Sequence, residues 1–278
     1  MTLSELLSIS PRDLRLFRQD TLPLVMAVVI ASALSAALLF YLIRGRIRIS
    51  RGRSGKRIRR FSVLERCAHW TLALSLLILA VTGLNKAVGR QVVQPLLAPD
   101  VYATWTRLAR MTHEYTSFAF AAALLAIIIL WVRDTRPARI DLAWLAAGGG
   151  LVGKAHPSAG RFNAGQKIVF WLVALGGTLM AATGFNMMYP DVVLAGGALR
   201  AAIIVHGICA ALLIGLTIGH IYIGSIGIEG AAGSMIRGDV DENWARHHHD
   251  LWARTMSVGD HPSPPEISHR EGVRESSV

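Results

Sequence analysis

Five separate stretches of this chain are long and apolar enough to cross a lipid bilayer, and they limit the possible folds more than any other feature. A membrane-spanning helix needs about 20 mostly apolar residues, because lipid offers no hydrogen-bond partner to an exposed backbone. The stretches are Leu22 to Ile43, Ala68 to Leu84, Tyr115 to Val132, Ile168 to Met188 and Ala201 to Gly224. A hydrophobic content of 53% with 17% charged residues agrees with this interpretation. We therefore predict an all-α, polytopic membrane protein.

The first stretch has two interpretations. Its Ala-Ser-Ala-Leu-Ser-Ala run and the preceding Arg12, Arg15 and Arg18 resemble a cleavable signal peptide. Its apolar run is long, however, and it is followed by the strongly basic sequence RGRIRISRGRSGKRIRR, which resists translocation. We predict a retained helix, with cleavage as the alternative.

The distribution of Lys and Arg predicts the orientation, because cytoplasmic loops are enriched in these residues. Ten lie between residues 44 and 66, six between 133 and 167, and five between 225 and 278, which places 21 on one side. The other side has eight, in the N-terminal segment, in residues 85 to 114 and at Arg200. We therefore predict a multi-pass protein of a bacterial inner membrane, with a periplasmic N-terminus and a cytoplasmic C-terminus.

The net charge of +11 does not indicate a nucleic-acid-binding protein. The basic residues occur in runs between apolar segments, without interleaved aromatic residues, and are typical of topology signals that face anionic lipid. Both cysteines, Cys67 and Cys209, lie in or beside apolar stretches and are predicted to be buried packing residues rather than a disulfide.

Four of the ten histidines lie in or at the ends of the predicted spans: His69, His113, His206 and His220. A single such residue has about even odds of being only a polar contact between helices, but four together need a joint explanation. In the predicted topology, His69 and His220 lie near the inner face, and His113 and His206 lie near the outer face. The depths therefore predict two histidine pairs, one above the other.

The spacing of His206 and His220 indicates what the pairs hold. Fourteen residues correspond to about 21 Å along a helix and to within roughly 40° of four full turns, so both side chains project from nearly one face. One helix that presents a ligand at each of two depths suits two six-coordinate irons, and bis-histidine haem b fits best. Two axial nitrogens leave no open position, which favours electron transfer over oxygen chemistry.

Other interpretations of these polar residues remain open. A metal transporter normally adds Asp or Glu along its pathway, and the five apolar runs contain neither. A haem-free membrane anchor leaves the matched histidine depths unexplained.

The cluster His247 to His249 lies in a charged segment and is predicted to be a solvated or partner-facing patch. Glycines in the last two spans are compatible with a cofactor or with close helix packing; they are Gly176, Gly177, Gly184, Gly207, Gly215 and Gly219.

From about Phe61 to Trp252 the chain resembles the gamma (cytochrome b) subunit of membrane-bound formate dehydrogenase. The resemblance is carried by ERCAHWT, LARMTHEYTSF, FNAGQKIVFW, IVHGICA, GHIYIG and GSMIRGDVDENWARHHH. It implies a four-helix core over residues 61–252 with two haems b, paired His113 with His206 and His69 with His220. Residues 1–60 depart from this pattern and are predicted to add one transmembrane helix and a basic cytoplasmic linker. Residues 253–278 are predicted to form a polar, disordered tail.

The resemblance also implies a quinone site and partner subunits. The quinone site of the family lies at the NAGQK turn, which corresponds here to Asn163, Gly165 and Gln166, although Asn163 also suits a helix N-cap. Electrons are expected from an iron–sulfur (beta) subunit, with formate oxidised on a molybdenum or tungsten (alpha) subunit, and passed through two haems to the quinone pool of anaerobic respiration. The cytochrome b subunits of Ni–Fe hydrogenases are the alternative family.

The predicted topology is testable with reporter fusions. A reporter fused after Arg200 is expected to behave as periplasmic and one fused after Arg237 as cytoplasmic, because the Lys and Arg residues divide 21 to eight between the two sides. Alkaline phosphatase and fluorescent-protein activities measure this directly. The opposite pattern would invert the predicted direction of electron transfer.

Overall fold

The structure, a computed structural model, describes residues 8–151, 157–190 and 192–258. Within these ranges five helices are long and apolar enough to cross a membrane. In chain order, the first to fifth spans are Pro11–Arg44, Val63–Val92, Pro99–Trp131, Ala164–Met188 and Gly196–Gly227. The first span contains a π-helical turn at Phe17–Thr21, and the fifth ends in one at Ile223–Gly227. The all-α, polytopic prediction is confirmed.

Short elements connect and follow the spans. The helices are Arg139–Ala146, Ala231–Ile236, Glu242–His248 and Asp250–Val258, and single 3-10 turns lie at Gln94–Leu96 and Gly148–Gly150. Strand β1 (Arg57–Arg59) pairs antiparallel with β2 (Asp239–Asp241), and Ile47 forms an isolated parallel bridge with Ile228. The basic linker after the first span is therefore joined to the segment after the fifth. The last helix runs to Val258, and the rest of the predicted tail lies outside the described residues.

The helices are longer than the apolar stretches that predict them. The second span starts five residues earlier, at a capping box in which the Ser62 hydroxyl accepts from Glu65 N–H and the Glu65 carboxylate accepts from Ser62 N–H. The third span starts at Pro99, a residue suited to the first helical position. The second span is therefore extended at the end of the bundle that carries His69, and the third at the end that carries His113.

The bundle is built from two helix hairpins. The second span packs along the third and the fourth along the fifth, and the hairpins meet mainly between the third and fourth spans. The first span packs on the fifth, where glycines permit close approach: a Cβ on Gly215 would lie 2.8 Å from Val29 Cγ1, and one on Gly207 would lie 3.0 Å from Leu22 Cδ1. The first span is therefore an integral part of the packed bundle.

Buried charge ties three spans together at the end of the bundle that carries His69. Glu65 is 7% exposed, and its carboxylate accepts from Arg161 Nη2 at 2.6 Å and from Trp131 Nε1 at 2.8 Å. Aromatic rings of Phe61, Trp131 and Phe162 pack beside this ion pair with centroids 5.3 to 5.8 Å apart. Removing Arg161 would leave the buried Glu65 carboxylate without its cation and destabilise this end of the bundle.

A second buried cluster attaches the C-terminal helices to the same end. Arg60 Nη2 donates to Arg161 O at 2.8 Å and to His249 Nε2 at 3.0 Å, and the guanidinium lies 5.0 Å from the Trp244 ring centroid. Burial lowers the pKa of Arg60 to about 9, which leaves it charged at neutral pH. Since Arg can only donate, His249 accepts at Nε2 and donates from Nδ1 to Gly160 O at 2.7 Å.

Two sequence predictions are wrong in detail. His249 is 1% exposed, so the His247 to His249 cluster is not a solvated patch throughout. Its ring is held by the Arg60 contact and by packing on Trp244, neither of which has a local sequence pattern.

The two cysteines differ in burial. Cys67 is exposed, because it lies on the outward face of the second span. Cys209 is half-buried, with its Sγ 3.5 Å from Gly176 O.

The His249 contacts predict a loss of stability on acidification. Burial, followed by the nearby Arg60 charge, holds the pKa of His249 well below its usual 6.5, so an unfolded C-terminal segment binds a proton that the folded one excludes. The stabilisation is present above pH 6.5 and falls below it, by up to about 1.4 kcal/mol per pH unit. Hydrogen exchange of residues 239–258 at pH 7 and pH 5 measures this.

The matched variant is His249→Gln, whose amide can donate to Gly160 O and accept from Arg60 but does not titrate. We expect it to flatten the pH dependence of exchange, after correction for intrinsic rates. An equally steep dependence in this variant would assign the effect to another titrating group.

Candidate haem-binding site

The structure brings His113 of the third span opposite His206 of the fifth. Their ring centroids are 6.5 Å apart, and the ring planes are inclined by 60°. A metal bond of about 2 Å to each imidazole nitrogen, plus about 1 Å from each nitrogen to its ring centre, requires a centroid separation of about 6 Å. The two rings therefore stand at the separation that one iron held between them requires.

His69 of the second span faces His220 of the fifth in the same way. Their ring centroids are 6.3 Å apart at an inclination of 55°. The His220 side chain is exposed on an apolar helix, and His69 Nδ1 is buried without a protein partner. Ionisable side chains on apolar membrane helices are rare and usually functional, and the facing positions and separation of these two rings suit one metal ion held between them.

A cavity of about 450 Å³ adjoins the first of these pairs. His113, His206, Gly83, Gly184, Phe120 and Met180 are among the residues that line it. Leu22 and Met26 of the first span form part of the same wall, and the charged groups Arg18, Lys86 and Glu114 lie along the lining. The cavity thus joins apolar walls to a charged rim, which suits an apolar macrocycle that carries carboxylates.

Each histidine of this pair contacts the same two residue types on the neighbouring helix. The Thr82 hydroxyl lies 2.9 Å from His113 Nδ1, and the Thr183 hydroxyl lies 2.9 Å from His206 Nδ1. A Cβ on Gly83 would lie 3.3 Å from His113 Cε1, and a Cβ on Gly184 would lie 3.3 Å from His206 Cε1. The two hairpins therefore build their halves of the site in the same way.

Sequence reasoning missed Thr82, Gly83 and Thr183, although a pattern was present. The second span contains Thr-Gly-Leu-Asn from Thr82, and the fourth contains Thr-Gly-Phe-Asn from Thr183. A Thr-Gly-x-Asn motif repeated near the end of two spans, each facing a histidine on the following span, would have identified both positions.

Of the six glycines considered from sequence, Gly184 lies against a histidine of the site. Four others serve helix packing: Gly176 faces Leu213, Gly177 faces Leu124, and Gly207 and Gly215 face the first span. Gly219 has nothing within 4 Å of an added Cβ. Close packing therefore explains most of this glycine content, as the alternative interpretation holds.

The residues present fit haem b. The chain provides opposed pairs of imidazoles at two levels of one helix, and within the described residues it groups no three metal-ligating side chains. A metal held by protein side chains alone normally needs more than two of them. Two protein ligands per metal therefore suit an iron whose other ligands come from a porphyrin. The cavity beside His113 and His206 provides apolar walls for such a ring.

The three residues of the predicted quinone site form the turn that starts the fourth span. Asn163 Oδ1 accepts from Gln166 N–H at 2.9 Å, and Gln166 Oε1 accepts from Asn163 N–H at 3.1 Å, which is a reciprocal capping box. Gln166 Oε1 also accepts from Arg60 at 3.3 Å, and a Cβ on Gly165 would lie 3.2 Å from Trp144 Cη2. Their oxygens thus cap the helix, while both side-chain amide nitrogens make no hydrogen bond within the described residues.

Comparison with known proteins shows relatives of one kind. The nitrate-inducible formate dehydrogenase cytochrome b556(Fdn) subunit of Escherichia coli K12 is 26% identical over 217 residues, which cover 74% of this chain and 94% of the relative. The formate dehydrogenase cytochrome b556(fdo) subunit of the same strain is 27% identical over 202 residues, 71% of this chain and 92% of the relative. The formate dehydrogenase cytochrome b556 subunit of Haemophilus influenzae is 28% identical over 212 residues, 71% of this chain and 83% of the relative.

The family match covers most of the bundle. The sequence model described as prokaryotic cytochrome b561 matches residues 60–238, a range that contains the second to fifth spans, all four histidines and both Thr-Gly-x-Asn motifs. A cytochrome b family implies haem b, in agreement with the opposed imidazoles. The chain is a multi-pass membrane protein that belongs to the prokaryotic cytochrome b561 family.

Proposed function

We propose that this chain is the membrane cytochrome b subunit of a formate dehydrogenase-type complex and that it holds two haems b. The observation that carries the proposal is the pair of opposed imidazoles at each end of the bundle, His113 with His206 and His69 with His220. The names of the relatives support the type of complex. When bound, haem b supplies reversible one-electron chemistry between ferric and ferrous iron.

The four histidines define the route that electrons take across the membrane. The fifth span supplies one ligand to each pair, with a rise of about 21 Å between His206 and His220. The positive-inside rule places the His113/His206 pair near the periplasm and the His69/His220 pair near the cytoplasm of a bacterial inner membrane. The chain then accepts electrons from a periplasmic iron–sulfur (beta) subunit, while a molybdenum or tungsten (alpha) subunit oxidises formate.

Quinone reduction is proposed at the start of the fourth span. Reduction of one quinone takes up two electrons and two protons, and a site near the His69/His220 pair draws those protons from the cytoplasm. The amide nitrogens of Asn163 and Gln166 are donors available to a quinone carbonyl, since the oxygens of the same side chains cap the helix. Gly165 lets the Trp144 ring pack close to the backbone of the same turn.

The test of the whole proposal is a reduced-minus-oxidised visible spectrum of the purified protein together with identification of co-purified subunits. Two b-type haems per chain and a molybdopterin subunit with an iron–sulfur subunit support it. A Ni–Fe hydrogenase large subunit would change the partner and leave the two haem sites standing. A protein without haem would overturn the proposal.

Single histidine variants separate the two haem sites. We expect His206→Ala to lose the haem at the His113/His206 pair and His220→Ala to lose the one at the His69/His220 pair, because each removes an axial ligand. Pyridine haemochrome assays should then give about half of the wild-type haem per chain in each variant. Full haem content in both variants would contradict the ligand assignment.

The quinone site is testable with variants that preserve the capping box. Asn163→Asp and Gln166→Glu keep the accepting oxygens but remove the amide donors. Loss of one hydrogen bond to the quinone should cost about 1 to 3 kcal/mol, or a five- to hundredfold fall in turnover with quinone analogues. Both haems should remain bound and reducible by the partner.

The matched control changes a capping box at a distant helix start. In the first span, Ser10 and Asp13 form the same reciprocal box, and Asp13→Asn is nearly isosteric there. We expect no change in quinone turnover in this control. Wild-type turnover in correctly assembled Asn163→Asp and Gln166→Glu proteins would reject the proposed site.

A further inference from the structure

Two threonine hydroxyls link the helix backbone to the histidines of one pair. Thr82 Oγ1 lies 2.7 Å from Ile78 O, four residues earlier in its own helix, and 2.9 Å from His113 Nδ1 on the next span. Thr183 Oγ1 lies 2.7 Å from Leu179 O and 2.9 Å from His206 Nδ1. The same chain of backbone carbonyl, hydroxyl and imidazole therefore occurs on both sides of the site.

The positions of the protons follow from donor and acceptor chemistry. A hydroxyl has one proton, and a carbonyl oxygen can only accept, so each threonine donates that proton to its helix carbonyl. The imidazole proton then lies on Nδ1, where the lone pair of the hydroxyl accepts from it beside the backbone carbonyl of Leu79 for His113 and of Met180 for His206. Nε2 of His113 and of His206 is left unprotonated, which is the form that a metal ligand requires.

We propose that Thr82 and Thr183 are positioning residues that fix the tautomer and orientation of His113 and His206 and lower the reduction potential of the haem iron between them. This inference rests on the proposed haem-binding function. A hydrogen bond from Nδ1–H makes the imidazole a stronger electron donor through Nε2. Stronger donation stabilises ferric iron relative to ferrous iron, and the reduction potential falls.

The other histidine pair lacks this arrangement. His69 Nδ1 is buried without a protein partner, and no hydrogen bond between His220 and another protein group occurs within the described residues. The threonines therefore bias the His113/His206 site toward the lower potential of the two. Electrons that enter at this site would then move to the His69/His220 site in the favourable direction.

The competing explanation is that the threonines only bond to their own helices. Thr178 and Thr217 do so, with their hydroxyls 2.6 Å from Ala174 O and 2.7 Å from Leu213 O. Within the part of the chain that the structure describes neither has a histidine partner, so Thr178, which lies on the same helix as Thr183, provides the matched control. Thr178→Val removes an equivalent hydroxyl without touching the site.

The experiment is a redox titration of the haem optical bands in the purified complex, with the His69/His220 haem as internal reference and His206→Ala to assign the bands. We expect Thr82→Val and Thr183→Val each to shift the reduction equilibrium of the His113/His206 haem about tenfold toward the ferrous form, which is about 59 mV for one electron. The low-spin ferric signals in electron paramagnetic resonance should change as well. Thr82→Ser, Thr183→Ser and Thr178→Val should leave potential and signals as in wild type.

Each outcome decides the matter. Unchanged potentials in both valine variants with haem bound, or an equal shift in Thr178→Val, would overturn the inference and leave the proposed function intact. The valine variants could instead lose the haem. In that case, serine variants that keep the haem at the wild-type potential support the role of the hydroxyl, and serine variants that also lose the haem refute it. A wild-type complex without a haem dependent on His206 would instead remove the proposed function.

Discussion

The separation of facing imidazoles is the constraint on which the rest of the bundle depends. Two rings that share one iron must keep their centroids about 6 Å apart, and helices that packed tightly at this level would close that distance. The observed arrangement keeps the distance by pairing spans into hairpins that meet along the third and fourth spans. The histidines of the second and third spans can then face the fifth across a gap measured at 6.3 and 6.5 Å.

Polar contacts at the end of the bundle that carries His69 join the second and third spans to the start of the fourth. Glu65 accepts from Trp131 of the third span at 2.8 Å and from Arg161, just before the fourth, at 2.6 Å, and the first of these contacts is buried. Arg60 continues the network to His249, beyond the fifth span. In a low-dielectric environment these directional bonds fix the relative positions of the helices more strongly than apolar side chains do. Apolar side chains can contact lipid as favourably as they contact another helix.

Much of this arrangement is readable from the sequence because its main determinants are local. Apolar length predicts the five spans, and the 14-residue spacing of His206 and His220 follows from helix geometry alone. Partners without a local sequence pattern were beyond such reasoning: Arg60 and His249 are 189 residues apart and meet only in the folded chain. Asn163 and Gln166 show the intermediate case, because a local sequence pattern predicts that their oxygens cap the helix, whereas the quinone role proposed for their nitrogens has no such local pattern.

The first span lies before the residues that match the family, yet it helps to form the cavity of the His113/His206 pair. Leu22 and Met26 are buried against the fifth span and line that cavity, and Arg18 lies on its charged rim near Lys86. In the proposed haem site, apolar walls that exclude water would favour the iron state of lower net charge, and cations on the rim would also favour reduction. Both effects oppose the proposed effect of the threonine hydrogen bonds, so the first span and the two threonines would act in opposite directions on the reduction potential of an iron bound there.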